Sequence, residues 1–175
     1  NTTATGSTAW DGNKLYLYTR SDEVDAVLAS SWGVFKSSQA FANTLWARKN
    51  QSVALPTTIA DGKATAENGA LIFTVHTDGT YYTFENNGKF LRTSENAEDG
   101  SNAECLYFDT VESDYTKWTL EEVEGGYLMA NKIATYKNKP VVLEYFGESF
   151  KGWTTGSGSI DLYAMKFFEE ESTDG

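Results

Sequence analysis

The chain has little of the chemistry that most enzymes and metalloproteins use. Its 175 residues include one cysteine and one histidine. Cys105 therefore has no partner for an intramolecular disulfide, and one Cys with one His cannot supply the ligands of a common zinc site. A lone cysteine fits a cytosolic protein, and equally a protein secreted by an anaerobic bacterium. Lying in Cys105-Leu106-Tyr107-Phe108, it reads as a small buried apolar side chain rather than a reactive thiol. Only two prolines occur, so no stiff linker divides the chain. No apolar run approaches the ~18 residues that a membrane-spanning helix needs. Basic residues are also scarce, 14 against 25 acidic ones, for a net charge of −11. Nucleic acid and anionic lipid both call for a positive footprint, so neither is an expected partner. Sialylated and sulfated glycans are disfavoured on the same ground.

Catalytic signatures are missing too. There is no nucleophile elbow, phosphate-binding loop or dinucleotide-binding glycine fingerprint. His76 stands in mid-strand with no acidic or thiol neighbour in the sequence, and reads as structural or surface. A glycosidase needs two carboxyls placed several ångströms apart. The acids here instead gather in turns and at strand ends such as Glu121-Glu122, which are solvated positions. The run Asp99-Gly100-Ser101-Asn102-Ala103-Glu104 falls short of the EF-hand spacing and reads as a solvated loop. The expectation is a protein that is not an enzyme and that carries neither metal nor cofactor.

What the chain has in quantity is aromatic residues: ten Phe, ten Tyr and five Trp. They fall into short strands separated by turns. The stretch from Asp78 to Glu124 opens at Asp78-Gly79 and continues as a strand from Thr80 to Glu85. It turns at Asn86-Asn87-Gly88 and runs on through Lys89-Phe90-Leu91, Cys105 to Phe108, and Lys117 to Glu121. The order recurs downstream from Gly126. Upstream it recurs from Gly12, with Gly12 to Tyr18 as first strand and Ala70 to Val75 as last. Three four-stranded units predict an all-β fold, a β-trefoil-like barrel that leaves no long open edge, with a β-sandwich as the alternative. Trp118, Phe73, Phe84, Phe90, Phe108, Leu143 and Phe167 are the expected core.

The first unit, Gly12 to Thr77, is longer than the second. The excess lies in Ser30 to Val53, where Phe41 and Leu45 have an i,i+4 spacing that predicts a short helical insertion. Ser21 or Asp22 could cap a helical turn leading into Val27-Leu28, where a strict repeat would instead place a strand. The chain reads as a single binding module over 1–175, with linker-like ends at 1–9 and 169–175, within a larger protein.

Planar rings stack on the apolar faces of sugars and bury area at low entropic cost. Aromatics outside the core alternation are therefore the candidate ligand-binding residues. They are Trp32 beside Gly33, Trp46 in the insertion, Tyr136 in a turn-like loop, and Trp153 after Gly152. The expected ligand is a neutral oligo- or polysaccharide, with α-glucan (starch) first, bound by a monomer. The alternative is an adhesion domain that grips a host protein.

Several motifs carry a resemblance. They are Lys117-Trp118-Thr119-Leu120-Glu121-Glu122, Gly125-Gly126-Tyr127, Leu143-Glu144-Tyr145 and Gly152-Trp153-Thr154-Thr155. From about Thr57 to Phe168 the chain resembles accessory modules of large secreted or surface proteins of gut Gram-positive anaerobes. Such modules accompany nucleotidase or phosphatase domains and starch-adherence proteins. More distantly it is similar to ricin-type lectin repeats, although Lys117-Trp118 stands where those repeats have Gln-x-Trp, and no ligand residue carries over. The resemblance implies a secreted or cell-surface, non-catalytic module.

Overall fold

In the computed structural model, residues 23–30, 34–36, 51–53, 63–64, 71–98, 103–146, 149–156 and 159–170 are described. Among these residues thirteen strands join into one sheet, antiparallel except where Lys63 and Ala64 pair in parallel with Glu169 and Glu170. In chain order they are β1 Glu23–Ala29, β2 Val34–Lys36, β3 Gln51–Val53, β4 Lys63–Ala64, β5 Ile72–Thr77, β6 Tyr82–Asn86 and β7 Lys89–Thr93. They continue as β8 Leu106–Asp109, β9 Trp118–Val123, β10 Gly126–Tyr136, β11 Lys139–Phe146, β12 Ser149–Trp153 and β13 Ala164–Glu170. Two single-turn 3-10 helices, Asp114–Thr116 and Ile160–Leu162, precede β9 and β13.

Six strands close on themselves. β1 pairs β5, β5 pairs β6, β6 pairs β9, β9 pairs β10, β10 pairs β13, and β13 returns to β1. Three hairpins hang from this ring: β2–β3 from β1, β7–β8 from β6, and β11–β12 from β10. Among the described residues the pairing pattern thus occurs three times within one sheet. A closed ring has no exposed edge along which another chain could pair.

Period-2 alternation decides which side chains line the interior. In β5, Phe73, Val75 and Thr77 are buried while Ile72, Thr74 and His76 are partly exposed. The core draws on all three repeats: Phe35 and Phe73, Phe84 and Trp118, then Met129, Phe150 and Phe167. Its rings touch in series. Phe35 meets Phe150 at 5.1 Å and Phe73 at 5.5 Å, Phe73 meets Phe84 at 6.1 Å, and Phe84 stacks on Phe167 at 5.7 Å. The expected core residues are buried except Phe90 and Phe108, which are half-buried; Cys105 is buried.

Three expectations change. The segment after Ser21-Asp22 is not a helical turn, because β1 is held on both sides, by β5 and by β13. β1 is also the first ring strand of its repeat, the role that the sequence suggested for Gly12 to Tyr18, which lie outside the described residues. Among the described residues of the insertion no helix is seen. Its described parts are β2 and β3, and Phe35 in β2 is committed to the core; Phe41, Leu45 and Trp46 lie outside the described residues. Finally, Glu169 and Glu170 of the acidic tail belong to β13, where they pair with Lys63 and Ala64.

Candidate functional site

Two of the four aromatic candidates come together. Tyr136 ends β10 and Trp153 ends β12, with ring centroids 5.3 Å apart and planes tilted by 43°. Both rings are half-buried, resting with Tyr115 on a small cluster of Ala97, Ala103, Ala134 and Val141. Trp32 and Trp46 lie outside the described residues.

Local structure explains the pairing of the rings. β10 carries an irregularity between Ala130 and Thr135. Buried Asn131 organises it: its side-chain oxygen accepts the N–H of Ile133 (3.1 Å) and of Ala134 (2.9 Å), and its amide donates to Tyr115 O at 2.8 Å. A bulge re-aims the strand end that follows it, here the end bearing Tyr136. β10 then turns into β11 through Lys137 (φ 53°) and Asn138 (φ 66°), a two-residue turn with both φ values positive. On the other side, Gly152 lets the chain at Ala103 approach closely, since a Cβ there would sit 2.4 Å from Ala103 O. That approach brings the alanine cluster beneath Trp153.

Polar groups border the rings. Glu98 accepts from the Thr135 hydroxyl at 2.9 Å and from the Lys137 N–H at 3.2 Å. The Lys137 ammonium stands 5.3 Å from the Tyr136 ring centre. Lys139 Nζ donates to Thr155 O at 3.2 Å. The rings thus offer a partly exposed apolar patch with hydrogen-bonding groups at its margin.

Further along β11 and β12 from this patch lies a charged cluster. Lys151 Nζ pairs with Glu104 at 3.0 Å, which ties down the last residue of the Asp99–Glu104 run. Glu144 is buried, and burial pushes its carboxyl above the usual range; a hydrogen bond from Tyr163 and the Lys151 charge act in the opposite direction. Residues 99–102 lie outside the described ones, and among the described residues no group of three or more His, Cys, Asp or Glu could hold a metal ion.

A second concave place lies on the far side of the Asp114–Thr116 turn. His76, Thr77, Asp78, Tyr81, Thr83, Glu112 and Lys117 line a half-open cleft of about 230 Å³. Hairpin geometry supplies what the sequence hid. Glu85 on β6 sits diagonally across from His76 on β5, and its Oε1 lies 2.7 Å from His76 Nε2. No motif marks Lys117, Tyr81 or Glu112, since their segments meet only in the fold. Tyr115 could have been read from the capping pair Ser113 and Thr116 that holds its turn.

No protein-family model and no curated protein sequence matches the chain. Solved structures do. The structure of SeviL bound to asialo-GM1 saccharide superposes with a TM-score of 0.52 at 18% identity, over 83% of this chain and 96% of that one. A salivary protein from Culex quiquefasciatus, of the Cysteine and Tryptophan-Rich family, gives a TM-score of 0.56 at 10% identity, over 87% and 98%. At these identities the likeness is one of fold.

Proposed function

We propose that this chain is a non-catalytic, extracellular carbohydrate-binding module for a neutral glycan, built as a β-trefoil. Supporting the trefoil reading are the closed ring of six strands and the three hairpins attached in the same way. Supporting the ligand class is the Tyr136–Trp153 pair, the observation that carries the reading. Two tilted rings bordered by Thr135, Lys137 and Glu98 offer an apolar surface for a sugar face and hydrogen bonds for its hydroxyls. The net charge of −11 favours an uncharged ligand, and SeviL, similar in fold, was solved with an asialo, hence sialic-acid-free, saccharide. α-Glucan is the first candidate.

Affinity electrophoresis through starch, dextran and mucin gels tests this. Wild type is retarded in at least one gel. Tyr136→Leu keeps apolar volume over the alanine cluster but removes the ring; it should lose at least about tenfold in affinity, equivalent to about 1.4 kcal/mol. A Tyr136→Leu protein that is retarded like wild type sinks the stacking role. If no gel retards wild type and the protein instead captures a host protein, the adhesion reading replaces this one.

A further inference from the structure

The cleft beyond the Asp114–Thr116 turn has walls that the fold already holds in place. Asp78 Oδ1 accepts the N–H of Thr80 (2.9 Å) and of Tyr81 (2.8 Å), which fixes the carboxylate. Those two bonds hold its pKa below the usual value, so it stays ionised. Thr77 Oγ1 accepts the Gly79 N–H at 3.0 Å and donates to Tyr81 O at 3.1 Å. Lys132 stands over the Tyr81 ring at 4.7 Å and is itself anchored to Asp114 at 3.0 Å. His76 is oriented by Glu85. A ligand entering here would have little ordering left to impose, which is the condition under which a small contact area yields measurable affinity.

The same cleft presents groups with spare hydrogen-bonding capacity. Among the described residues, Asp78 Oδ2, the Glu112 carboxylate and the Lys117 ammonium make no hydrogen bond within the fold, although all three groups border the cavity. Two carboxylates and one ammonium, with the Thr83 hydroxyl beside them, are a mixed set of acceptors and donors. Bonds from ligand hydroxyls to carboxylates are charge-assisted, hence short and strong. An anion would face Asp78 and Glu112 on a chain of net charge −11. A cation would face Lys117. A neutral molecule dense in hydroxyls meets neither penalty. At about 230 Å³ the cleft is smaller than the ~300–1,000 Å³ typical of drug-sized ligand pockets, so it suits a single ring and not a chain.

We propose that this cleft is a second saccharide site, which seats one neutral pyranose ring between the Asp78–Tyr81 turn and the Glu112–Lys117 segment. It rests on the reading above for the class of ligand, and uses none of the same side chains. The Asp114–Thr116 turn separates the two sites: Glu112 and Lys117 flank it on the cleft side, and Tyr115 packs on the cluster beneath Tyr136 and Trp153. Two sites on one module would raise avidity for a branched or multivalent glycan without any new contact.

The test is an amide-resolved NMR titration with D-glucose, D-galactose, D-mannose and N-acetyl-D-glucosamine, with N-acetylneuraminic acid as the anionic comparison. At least one neutral sugar shifts the amides of residues 77–83 and 112–117 saturably, and the anionic sugar shifts them less. The double variant Glu112→Gln, Lys117→Gln weakens that binding about tenfold or more with its melting temperature nearly unchanged, because neither side chain hydrogen-bonds within the fold and the attraction of Lys117 for exposed Asp78 is screened by solvent. Absence of shifts in these segments with all four neutral sugars overturns the proposal, as does a double variant that titrates like wild type. Shifts confined to the neighbourhood of Tyr136 and Trp153 overturn the cleft and leave the first reading standing. Shifts confined to the cleft support it and sink the aromatic pair. Silence at both sites, together with free migration in every gel, removes both.

Discussion

Trp118 shows what one side chain does for this fold. It is buried, it lies in the core cluster with residues of every repeat, and its indole N–H donates to Leu91 O at 3.1 Å. Trp118→Ala empties that volume and orphans a buried carbonyl, so it should cost about 3–5 kcal/mol, read from denaturant midpoints. A loss under about 1 kcal/mol would show that the core closes without it. The position was legible from the sequence, because Trp118 falls in a strand bounded by turns. The exposure of Trp153 was not: its ring is half-buried on the alanine cluster, because Gly152 draws the chain at Ala103 toward β12. Glu144 was equally hidden, since nothing in Leu143-Glu144-Tyr145 announces a buried carboxyl. Burial favours its protonated form in the folded state, so its folded pKa lies above its unfolded one. Tyr163 opposes this weakly, since the hydroxyl has one proton to give and also donates to Thr154 O at 3.1 Å. The favourable contribution is therefore present below the ordinary carboxylate pKa and is lost as pH rises through the raised one. Glu144→Gln should melt higher than wild type at neutral and mildly alkaline pH and match it in acid. Equal melting temperatures across the range would show that Glu144 carries no uncompensated burial cost.

At the level of elements, turn chemistry separates what could be read from what could not. Asn87-Gly88 joins β6 to β7 with φ values of 53° and 77°, and an Asn-Gly pair between strands signals such a turn. The matching turn of the third repeat is Lys137-Asn138, and lysine at positive φ is uncommon, so the sequence match there runs one residue out of step. β1 was obscured by Ser21-Asp22, which mimics a helix cap. Only pairing with β5 and with β13, both distant in sequence, decides that it is a strand. Two glycines make a test of how the hairpins are held. At Gly88 a Cβ meets nothing within 4 Å, so Gly88→Ala pays only for the left-handed backbone, about 1–2 kcal/mol. At Gly152 a Cβ would sit 2.4 Å from a backbone oxygen, so β12 or the chain at Ala103 must move. Gly152→Ala should cost about 1–3 kcal/mol and also disturb Trp153 fluorescence, whereas Gly88→Ala leaves that signal alone. Unchanged fluorescence in Gly152→Ala would show that the close approach does not set the ring pair.

On the scale of the whole molecule, a closed barrel of repeats was expected from the sequence, and the pairings that close it were not legible, because they join partners far apart in sequence. Ring strand β6 leans on β5 of the preceding repeat, and β9 on β10 of the following one; within the second repeat β6 and β9 meet at one register pair, Tyr82 with Trp118. The core repeats the lesson, since Phe84 packs between Phe73 and Phe167, neither of them from its own repeat. A peptide of residues 78–124 retains the β6–β7–β8 meander and the Tyr82–Trp118 contact, and loses the longer pairings of β6 with β5 and of β9 with β10 together with the core rings of the other repeats. Short hairpins are marginal in water on their own, and a repeat that cannot bury its apolar face alone is not expected to fold. That peptide should therefore give a coil-like circular dichroism spectrum and no cooperative melt, while the full chain unfolds in one transition. A sigmoidal melt from the isolated repeat would mean that stability is local to each unit, and that the ring is an assembly of three self-sufficient parts instead of one cooperative structure.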